Sequence, residues 1–429
     1  MAITASPPPQ QRHGGNFRSL RHPNFRRWYV GSMVSNIGTW MQFAAQDWLV
    51  LTELTHHDAR AVGIVMALQY GPQFALLPWT GTAADHLDRR TLLMLTQGIM
   101  GLLSLVLGVL VISGTVRLWE LYCLALLLGC TAAFDAPARQ TFVGDLVGED
   151  DLANAVALNS TSNNAGRMIG PALAGVCIGV FGTGWAFAAN GISFGAVLVS
   201  LAGLKRDQLR NRVRQGRKRG ALFDGFRYVG SRSDLRAIAL MLFLFGTFGL
   251  NFPIYVSTMA VSVFHADAMH YGILSSAVAI GTLAGAFLAT GQGRPRLAIL
   301  TRGTALFAAA SAFAALAPSY WIFAGTLGVM GFAAVTIANR SNTLMQLSSD
   351  PAMRGRVMAI RLAILLGGTP VGAPFVGWIA QDFGPRWALG VSALAGLVAM
   401  LIGLRHQRRS MPQAIPALNL DEDGDASQG

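Results

Sequence analysis

Twelve long apolar stretches occupy most of this chain, and their length restricts what it can fold into. A helix needs about 20 mostly apolar residues to cross a bilayer. Backbone polar groups inside lipid must also be satisfied within a helix or a closed barrel. An all-α membrane protein with twelve transmembrane helices is therefore predicted. The approximate spans are 26–50, 61–84, 91–112, 118–142, 154–180, 184–204, 236–262, 271–291, 297–317, 319–345, 356–381 and 385–404.

A pattern of glycine and aromatic residues around the fifth stretch returns 202 residues later without a gap. The matched pairs are Gly170 and Gly372, Gly175 and Gly377, Phe181 and Phe383, Gly182 and Gly384, Trp185 and Trp387, and Ala186 and Ala388. Such a repeat is typical of transporters built from duplicated helical bundles. We expect two pseudo-symmetric six-helix bundles, residues 26–204 and 236–404.

The basic residues lie almost entirely on one side of the predicted spans. With the N-terminus placed in the cytoplasm, the inner segments carry 25 Lys and Arg residues and the outer loops carry three. Cytoplasmic loops of membrane proteins are enriched in Lys and Arg, so both termini are predicted to be cytoplasmic. The formal charge of +12 is then a topology signal, and no nucleic-acid partner is expected.

Three segments lie outside the bundles. Residues 1–25 are predicted to be a disordered basic N-terminus, and residues 405–429 a cytoplasmic tail. Residues 205–235 form a basic linker in which Leu222, Phe226 and Val229 recur at helical spacing. That spacing predicts a short amphipathic helix, either on the inner leaflet or solvated. The cysteines lie in apolar stretches, and neither a metal nor a cofactor is expected.

The loop between the second and third stretches, GTAADHLDRR, resembles the signature loop of the major facilitator superfamily. His86 replaces a basic residue of that pattern, and Asp88 replaces its second glycine. The resemblance implies a conformational switch in which the acid contacts the start of the eleventh span, near residues 354–356. The alternative is a plain positive-inside turn. The matching positions are Gly81, Asp85, Arg89 and Arg90.

The fifth stretch carries a second signature, which resembles the motif of the antiporter branch of that superfamily. Small residues allow close helix approach, and a proline bends the helix. Ala174 stands where the motif usually has glycine. The alternative is ordinary small-residue contact between helices. The motif positions are Gly166, Gly170, Pro171 and Gly175.

Most of residues 17–405 resembles the bacterial secretion-effector branch, which includes the enterobactin exporter and macrolide-efflux-like proteins. The segments that carry the resemblance include FRRWYVGSMVSNIGTWMQFAAQDWLV, AFDAPARQTFVGDLV and FDGFRYV. The resemblance implies the facilitator fold and outward transport of a siderophore or a drug-like compound, across a bacterial inner (cytoplasmic) membrane.

Ionisable residues within the spans are costly to insert, at about 2.5–3.5 kcal/mol each, and are therefore functional candidates. Asp135 and Arg139 are four residues apart, so they can pair on one helix face. They form either a structural salt bridge or a proton-carrying acid with its alternate partner. Asp47, near the outer end of the first span, is either a second proton carrier or an interfacial residue that faces water.

Several polar and aromatic residues fall on spans expected to line a central cavity for an amphipathic ligand. Arg167 either attracts an anionic group there or has a structural or lipid partner. The aromatic residues are otherwise core residues. The predicted cavity residues are Arg167, Asn163, Asn251, Trp40 and Phe134.

Together these features predict a monomeric secondary transporter that exports a small molecule in exchange for protons. A proton-linked importer and an uncoupled facilitator are the alternatives within transport. An enzyme is not expected. An ATP-driven pump is excluded unless a partner supplies the ATPase, because neither Lys205 nor Lys218 stands in a Gly-Lys-Ser/Thr sequence.

Overall fold

A computed structural model describes residues 17–76, 79–80, 87–205, 221–288 and 297–410. Its first two long helices are α1, Pro23–Leu49, and α2, Ala59–Ala75. Ten further helices in the described residues are long and apolar enough to cross a membrane. They are α3 Arg89–Ile112, α4 Leu118–Leu146, α5 Glu149–Phe181, α6 Thr183–Ala202, α7 Ser233–Val263, α8 Ala268–Leu288, α9 Leu297–Leu316, α10 Tyr320–Leu347, α11 Arg354–Asp382 and α12 Pro385–Arg409.

The first two helices differ from the other ten, because α1 is more polar and α2 is shorter. α1 has 27 residues but buries polar side chains such as Ser35, Gln42 and Gln46 against its neighbours. α2 covers only 17 residues, and the rest of the predicted span 61–84 lies partly outside the described residues. Both helices nevertheless belong to the bundle, because α1 packs on α5 and α6 while α2 packs on α4 and α11.

The 202-residue repeat reappears as repeated contacts between helices. Gly170 of α5 lies against α1, and its partner Gly372 of α11 lies against α7. Gly175 of α5 lies against α8, and its partner Gly377 of α11 lies against α2. A Cβ atom at any of these glycines would overlap the opposing helix. The two halves are therefore related by pseudo-symmetry, as the repeat predicted.

The turns after α5 and α11 are also equivalent under the 202-residue repeat. Gly182 and Gly384 have φ values of +92° and +102°, in a region that costs glycine little and other residues more. Both residues end a long helix and let the next begin at once. The paired glycines thus keep α5 with α6, and α11 with α12, as matching hairpins.

Two helices of the second half are broken. α7 passes through the π-turn Phe245–Gly249 before Asn251, and Pro253 lies at the start of the segment that follows. α11 is interrupted at Gly368, just before Pro370. A proline cannot donate the backbone hydrogen bond of a continuous helix, so each break follows from the local sequence.

Candidate functional site

The two halves touch along the α2–α11 and α5–α8 pairs. At the start of α2, the backbone N–H of Ala59 donates to Gln381 Oε1 at 2.8 Å, and Arg60 forms an ion pair with Asp382. These residues lie at the membrane face opposite the start of α1 and the end of α12. We call that side the far face, and the side of the two chain ends the near face. At the far face the two halves are therefore in direct contact.

A cavity of about 650 Å³ extends from mid-membrane toward the near face, inside the first half. It is lined from α1 by Asn36 and Gln42, from α4 by Asp135 and Arg139, and from α5 by Asn163. Its volume lies in the range of pockets for drug-sized ligands. The predicted residues Asp135, Arg139 and Asn163 therefore line the same cavity.

Asp135 is held by side chains from two helices. Its Oδ1 accepts hydrogen bonds from Thr96 Oγ1 at 2.8 Å and Gln97 Nε2 at 2.7 Å. Its Oδ2 contacts Arg139, whose guanidinium nitrogens lie 3.0 and 3.1 Å away. Pro137 lies between the two charged residues without preventing the pair. All of these partners belong to the first half.

A second, smaller cavity lies between the halves, beneath the closed far face. Asp47, Arg167 and Trp40 line it from the first half, and Tyr271 lines it from α8. Asp47 is 8% exposed, and its carboxylate accepts a hydrogen bond from the Tyr271 hydroxyl at 3.3 Å. The position of Asp47 therefore differs from the water-facing alternative, because α8 covers it.

Trp40 links the two cavities. Its ring lies under the guanidinium of Arg167, with 5.3 Å between the Cζ atom and the ring centroid, which is a cation–π distance. Its indole N–H donates to Asn163 Oδ1 at 3.1 Å. Phe43 lines both cavities. The aromatic surface backed by the positive charge of Arg167 therefore belongs to the smaller cavity, and it is joined to the larger one through Phe43 and Asn163.

Two predicted cavity residues lie elsewhere. Asn251 is fully buried at the break in α7, where its Nδ2 donates to the Thr247 carbonyl at 2.8 Å. It satisfies a backbone carbonyl freed by the broken helix, so it does not line either cavity. Phe134 is half-buried beside Asp135 and is likewise absent from both linings.

Several residues of the site escape sequence reasoning. Thr96 and Gln97 are ordinary polar residues of α3, and Tyr271 is one of seven tyrosines. Their partners lie 38 to 224 residues away in the chain. Only the fold brings them together. The one available signal is that polar residues within an apolar span are expensive unless they are hydrogen-bonded.

The described part of the loop that was predicted to act as a conformational switch is bound within the first half. One guanidinium nitrogen of Arg89 donates to both carboxylate oxygens of Asp145, at 2.8 and 2.9 Å. Arg90 donates to the carbonyls of Leu201 and Ala202 at 2.8 and 3.2 Å. These bonds hold the start of α3 against the ends of α4 and α6. Gly81 and Asp85 lie outside the described residues.

The antiporter-like motif makes two kinds of contact. At Gly166 and Gly170 α5 approaches α1 so closely that an added Cβ would lie 2.7–2.8 Å from α1 atoms. At Gly175 it approaches α8 of the other half, where a Cβ would lie 2.6 Å from the Ala268 carbonyl oxygen. Pro171 lies inside α5 between them. α5 therefore packs closely on a helix of its own half and on a helix of the other half.

The linker helix, Ala221–Ser231, lies against the second half. Val229 is buried, Arg356 forms an ion pair with Asp224 at 3.4 Å, and the Tyr228 hydroxyl donates to Asp350 at 2.9 Å. Contact with α11, which the sequence did not predict, covers Val229 of the apolar face. Phe226 of the same face is 52% exposed, as both the inner-leaflet and the solvated alternatives allow. Residues 206–220 of the linker lie outside the described residues.

Comparison with solved structures identifies the fold. A bacterial homolog of the human lysosomal transporter Spinster, in an inward-facing and unoccupied conformation, matches with a TM-score of 0.70 at 16% identity, covering 90% of this chain and 97% of that one. A bacterial homologue of the iron transporter ferroportin, in an inward-facing state, matches with a TM-score of 0.69 at 14% identity, covering 89% and 98%. The fold is that of the major facilitator superfamily.

Comparison of sequences finds relatives with a higher identity to this chain than these solved structures have. The enterobactin exporter EntS of Citrobacter koseri is 25% identical over 406 residues, covering 92% of this chain and 95% of the relative. The EntS protein of Salmonella typhi is 26% identical over 403 residues, covering 91% and 95%. A family model described as transmembrane secretion effector matches residues 14–423. This chain, a multi-pass membrane transporter, belongs to the transmembrane secretion effector family.

Proposed function

We propose that this protein exports an amphipathic small molecule across a bacterial cytoplasmic membrane by alternating access, in exchange for protons. The observation that carries the proposal is the asymmetry between the two faces. The halves meet at the far face, while the 650 Å³ cavity extends toward the near face. The smaller cavity is the one between the bundles, and sites between repeated bundles, reached from one side at a time, are the basis of alternating access.

Direction follows from charge and from the relatives. The Lys and Arg excess favours a cytoplasmic near face, and with that orientation we infer that the described conformation is inward-facing and takes cargo from inside. Relatives that match more than 90% of the chain are named enterobactin exporters. The antiporter-like motif at Gly170 and Pro171 agrees with the same direction.

The two cavities, taken together, favour an aromatic cargo with an anionic group. Arg167 provides the positive charge, Trp40 and Phe43 provide aromatic surface, and Asn163 provides an amide. A siderophore or a drug-like compound of this character would combine apolar contact with a few oriented polar bonds, as ligand pockets generally do.

Of the two candidate acids, Asp47 has the better position for coupling. Rocking of two rigid halves breaks contacts between them and preserves contacts within each half. The Asp47–Tyr271 bond joins the halves, so opening of the far face must break it. Asp135 is held by residues of its own half. We assign Asp47 to proton exchange during the switch, and Asp135 with Arg139 to the cargo cavity.

Reconstituted liposomes test both assignments. Purified protein is placed in vesicles with a trapped pH dye, a proton gradient is imposed, and catecholate siderophores and lipophilic antibiotics are added. We expect cargo-dependent proton flux in the wild type and in D267N, a matched change to an exposed carboxylate. D47N should lose the flux and Y271F should alter its pH dependence, while D135N should mainly weaken cargo binding.

The outcomes separate the alternatives. Cargo movement without proton flux in the wild type would contradict antiport and indicate an uncoupled facilitator. Flux in the same direction as the cargo would indicate an importer-type symporter. Flux that survives D47N but is lost in D135N would transfer the coupling role to Asp135.

A further inference from the structure

A hydroxyl group of α8 makes a hydrogen bond across the boundary between the two halves. Ser276 Oγ donates to the main-chain carbonyl of Met168 in α5, at 2.8 Å. Ser276 is 8% exposed, so little water competes for this bond. Unlike the bond between Asp47 and Tyr271, it joins the halves without an ionisable group on either side.

The partner of Ser276 is unusual for a buried hydroxyl in a helix. Serine and threonine side chains inside helices commonly donate to a carbonyl three or four residues earlier in their own helix. Thr282, six residues further along α8, does so: it is 7% exposed, and its Oγ1 donates to the Ala279 carbonyl at 2.8 Å. Ser276 donates to the opposite helix instead. Its bond therefore exists only where α5 and α8 are in contact.

Small residues bring the two backbones close enough for this bond. Gly272, one turn before Ser276, lies so close to the Pro171 carbonyl that an added Cβ would overlap its oxygen. One turn further toward the far face, Ala268 lies against Gly175. Ser276 is eight residues into α8, or about 12 Å along the helix axis. The hydrogen bond thus lies at the inner end of a close contact that runs over two turns.

The equivalent contact of the other helix pair has no donor at this position. The 202-residue offset places Ala373 at the position of Pro171. Gly63 of α2 lies against the Ala373 carbonyl just as Gly272 lies against that of Pro171. Four residues after Gly63 the chain has Ala67, whose side chain cannot donate a hydrogen bond. The repeat therefore does not require the hydroxyl of Ser276.

We propose that Ser276 is a positioning residue of the transport cycle, which holds α8 on α5 while the cavity is open toward the near face. The inference rests on the alternating access proposed above. When the halves separate at the far face, Ser276 loses the Met168 carbonyl, and its hydroxyl turns back to a carbonyl of its own helix, as that of Thr282 does. The donor is then satisfied in both states, so only the small net free energy of one hydrogen bond opposes the separation.

Labelling from the far side tests the role of Ser276. Ala44 lines the smaller cavity and is 5% exposed, so A44C should react with a membrane-impermeant maleimide on the far side only while the halves are apart there. The rate is measured in proteoliposomes without cargo or pH gradient, in a background without the native cysteines. S276A should raise the rate about two- to tenfold, because the rate follows the ratio of the two states and one neutral hydrogen bond is lost.

T282A is the matched control, because it removes a buried hydroxyl of the same helix that does not cross the boundary. It should leave the labelling rate unchanged. Thermal unfolding in detergent is measured on the same proteins, and S276A should be no less stable than T282A. A general loss of stability would instead lower the unfolding temperature and raise the labelling rate together.

The outcomes separate this inference from the proposed function. Equal labelling of S276A and its parent, or an equal rise in T282A, would overturn the role of Ser276 and leave alternating access intact. If A44C were not labelled from the far side in any variant, alternating access would be contradicted and this inference with it. A wild type without cargo-dependent proton flux would contradict antiport alone, because the labelling uses neither cargo nor gradient.

Discussion

At the scale of single residues, the site depends on how each carboxylate is surrounded. Asp135 has three side-chain partners in its own half, and Asp47 has one across the interface. The same residue type is thus placed in two different environments by its neighbours. An aspartate in the loop before α8 has a third, as a helix cap.

Asp267 caps the first turn of α8. Its Oδ1 accepts a hydrogen bond from the His270 backbone N–H at 2.8 Å and contacts the ring Nδ1 at 2.7 Å. The backbone bond, followed by the ring contact, lowers the pKa of Asp267 below its usual value of 3.8. A carboxylate with a lowered pKa in the folded state stabilises the fold above its unfolded value, and the contribution disappears as the pH falls through the folded value.

D267A should lower the free energy of unfolding by about 1 kcal/mol at pH 7, which is the usual loss for an N-cap. The difference from the wild type should shrink below about pH 4, as the wild-type carboxylate becomes protonated and loses its charge. Thermal unfolding in detergent at several pH values measures both effects. D267N should remain close to the wild type, because asparagine also caps helices. A D267A deficit that does not change with pH would contradict this account.

At the scale of elements, α5 is the helix that connects stability to switching. Gly170 brings it against α1 of its own half, and Gly175 brings it against α8 of the other. A side chain added at the first position disturbs the fold of one half. A side chain added at the second disturbs only the closed state of the far face.

G175V should therefore shift the transporter toward the conformation open at the far face. Overpacking at a close contact costs about 1–3 kcal/mol, which is roughly a 5- to 150-fold change in the ratio of the two states. The measure is maleimide labelling from the far side of S275C, a position in the interface cavity, in a background without the native cysteines. Labelling should rise in G175V.

G170V is the control at the other contact of the same helix. It should lower thermal stability or insertion without raising far-side labelling of S275C, because its clash lies within the first half. Equal labelling of G175V and the parent protein would show that the α5–α8 contact does not govern closure.

At the scale of the whole molecule, the halves are in contact at one face and the large cavity extends toward the other. The α2–α11 and α5–α8 pairs are equivalent under the repeat, and both close the far face. Alternating access requires both pairs to separate as the near face closes. A covalent link across either pair should stop the cycle in one state.

Cross-linking of R60C with D382C, in place of the ion pair at the far face, should abolish transport. Cargo binding from the near face should persist, since the large cavity lies in that part of the protein. Transport and binding are measured in the same proteoliposomes before and after reduction, in the cysteine-free background. Recovery on reduction is the control, and undiminished transport by the cross-linked protein would contradict a rocking mechanism.

The sequence by itself determined the class of the protein and its symmetry. Length and apolarity of the spans leave helices as the way to satisfy the backbone in lipid. The 202-residue repeat of Gly170 and Gly175 requires equivalent close contacts in both halves, because only glycine fits them. The pairing of Asp135 with Arg139 was also predictable, since four residues form one turn of a helix.

Tertiary structure decided the contacts between residues that lie far apart in the chain, which sequence spacing cannot predict. Asp47 meets Tyr271 across 224 residues, and Arg167 stacks on Trp40 across 127. A polar residue such as Asn251 could line a ligand cavity or satisfy the backbone of a broken helix. Its hydrogen bond to Thr247 at the break in α7 shows that it does the latter. A side chain's role depends on what opposes it in space, and in a bundle of this size those neighbours come from distant parts of the chain.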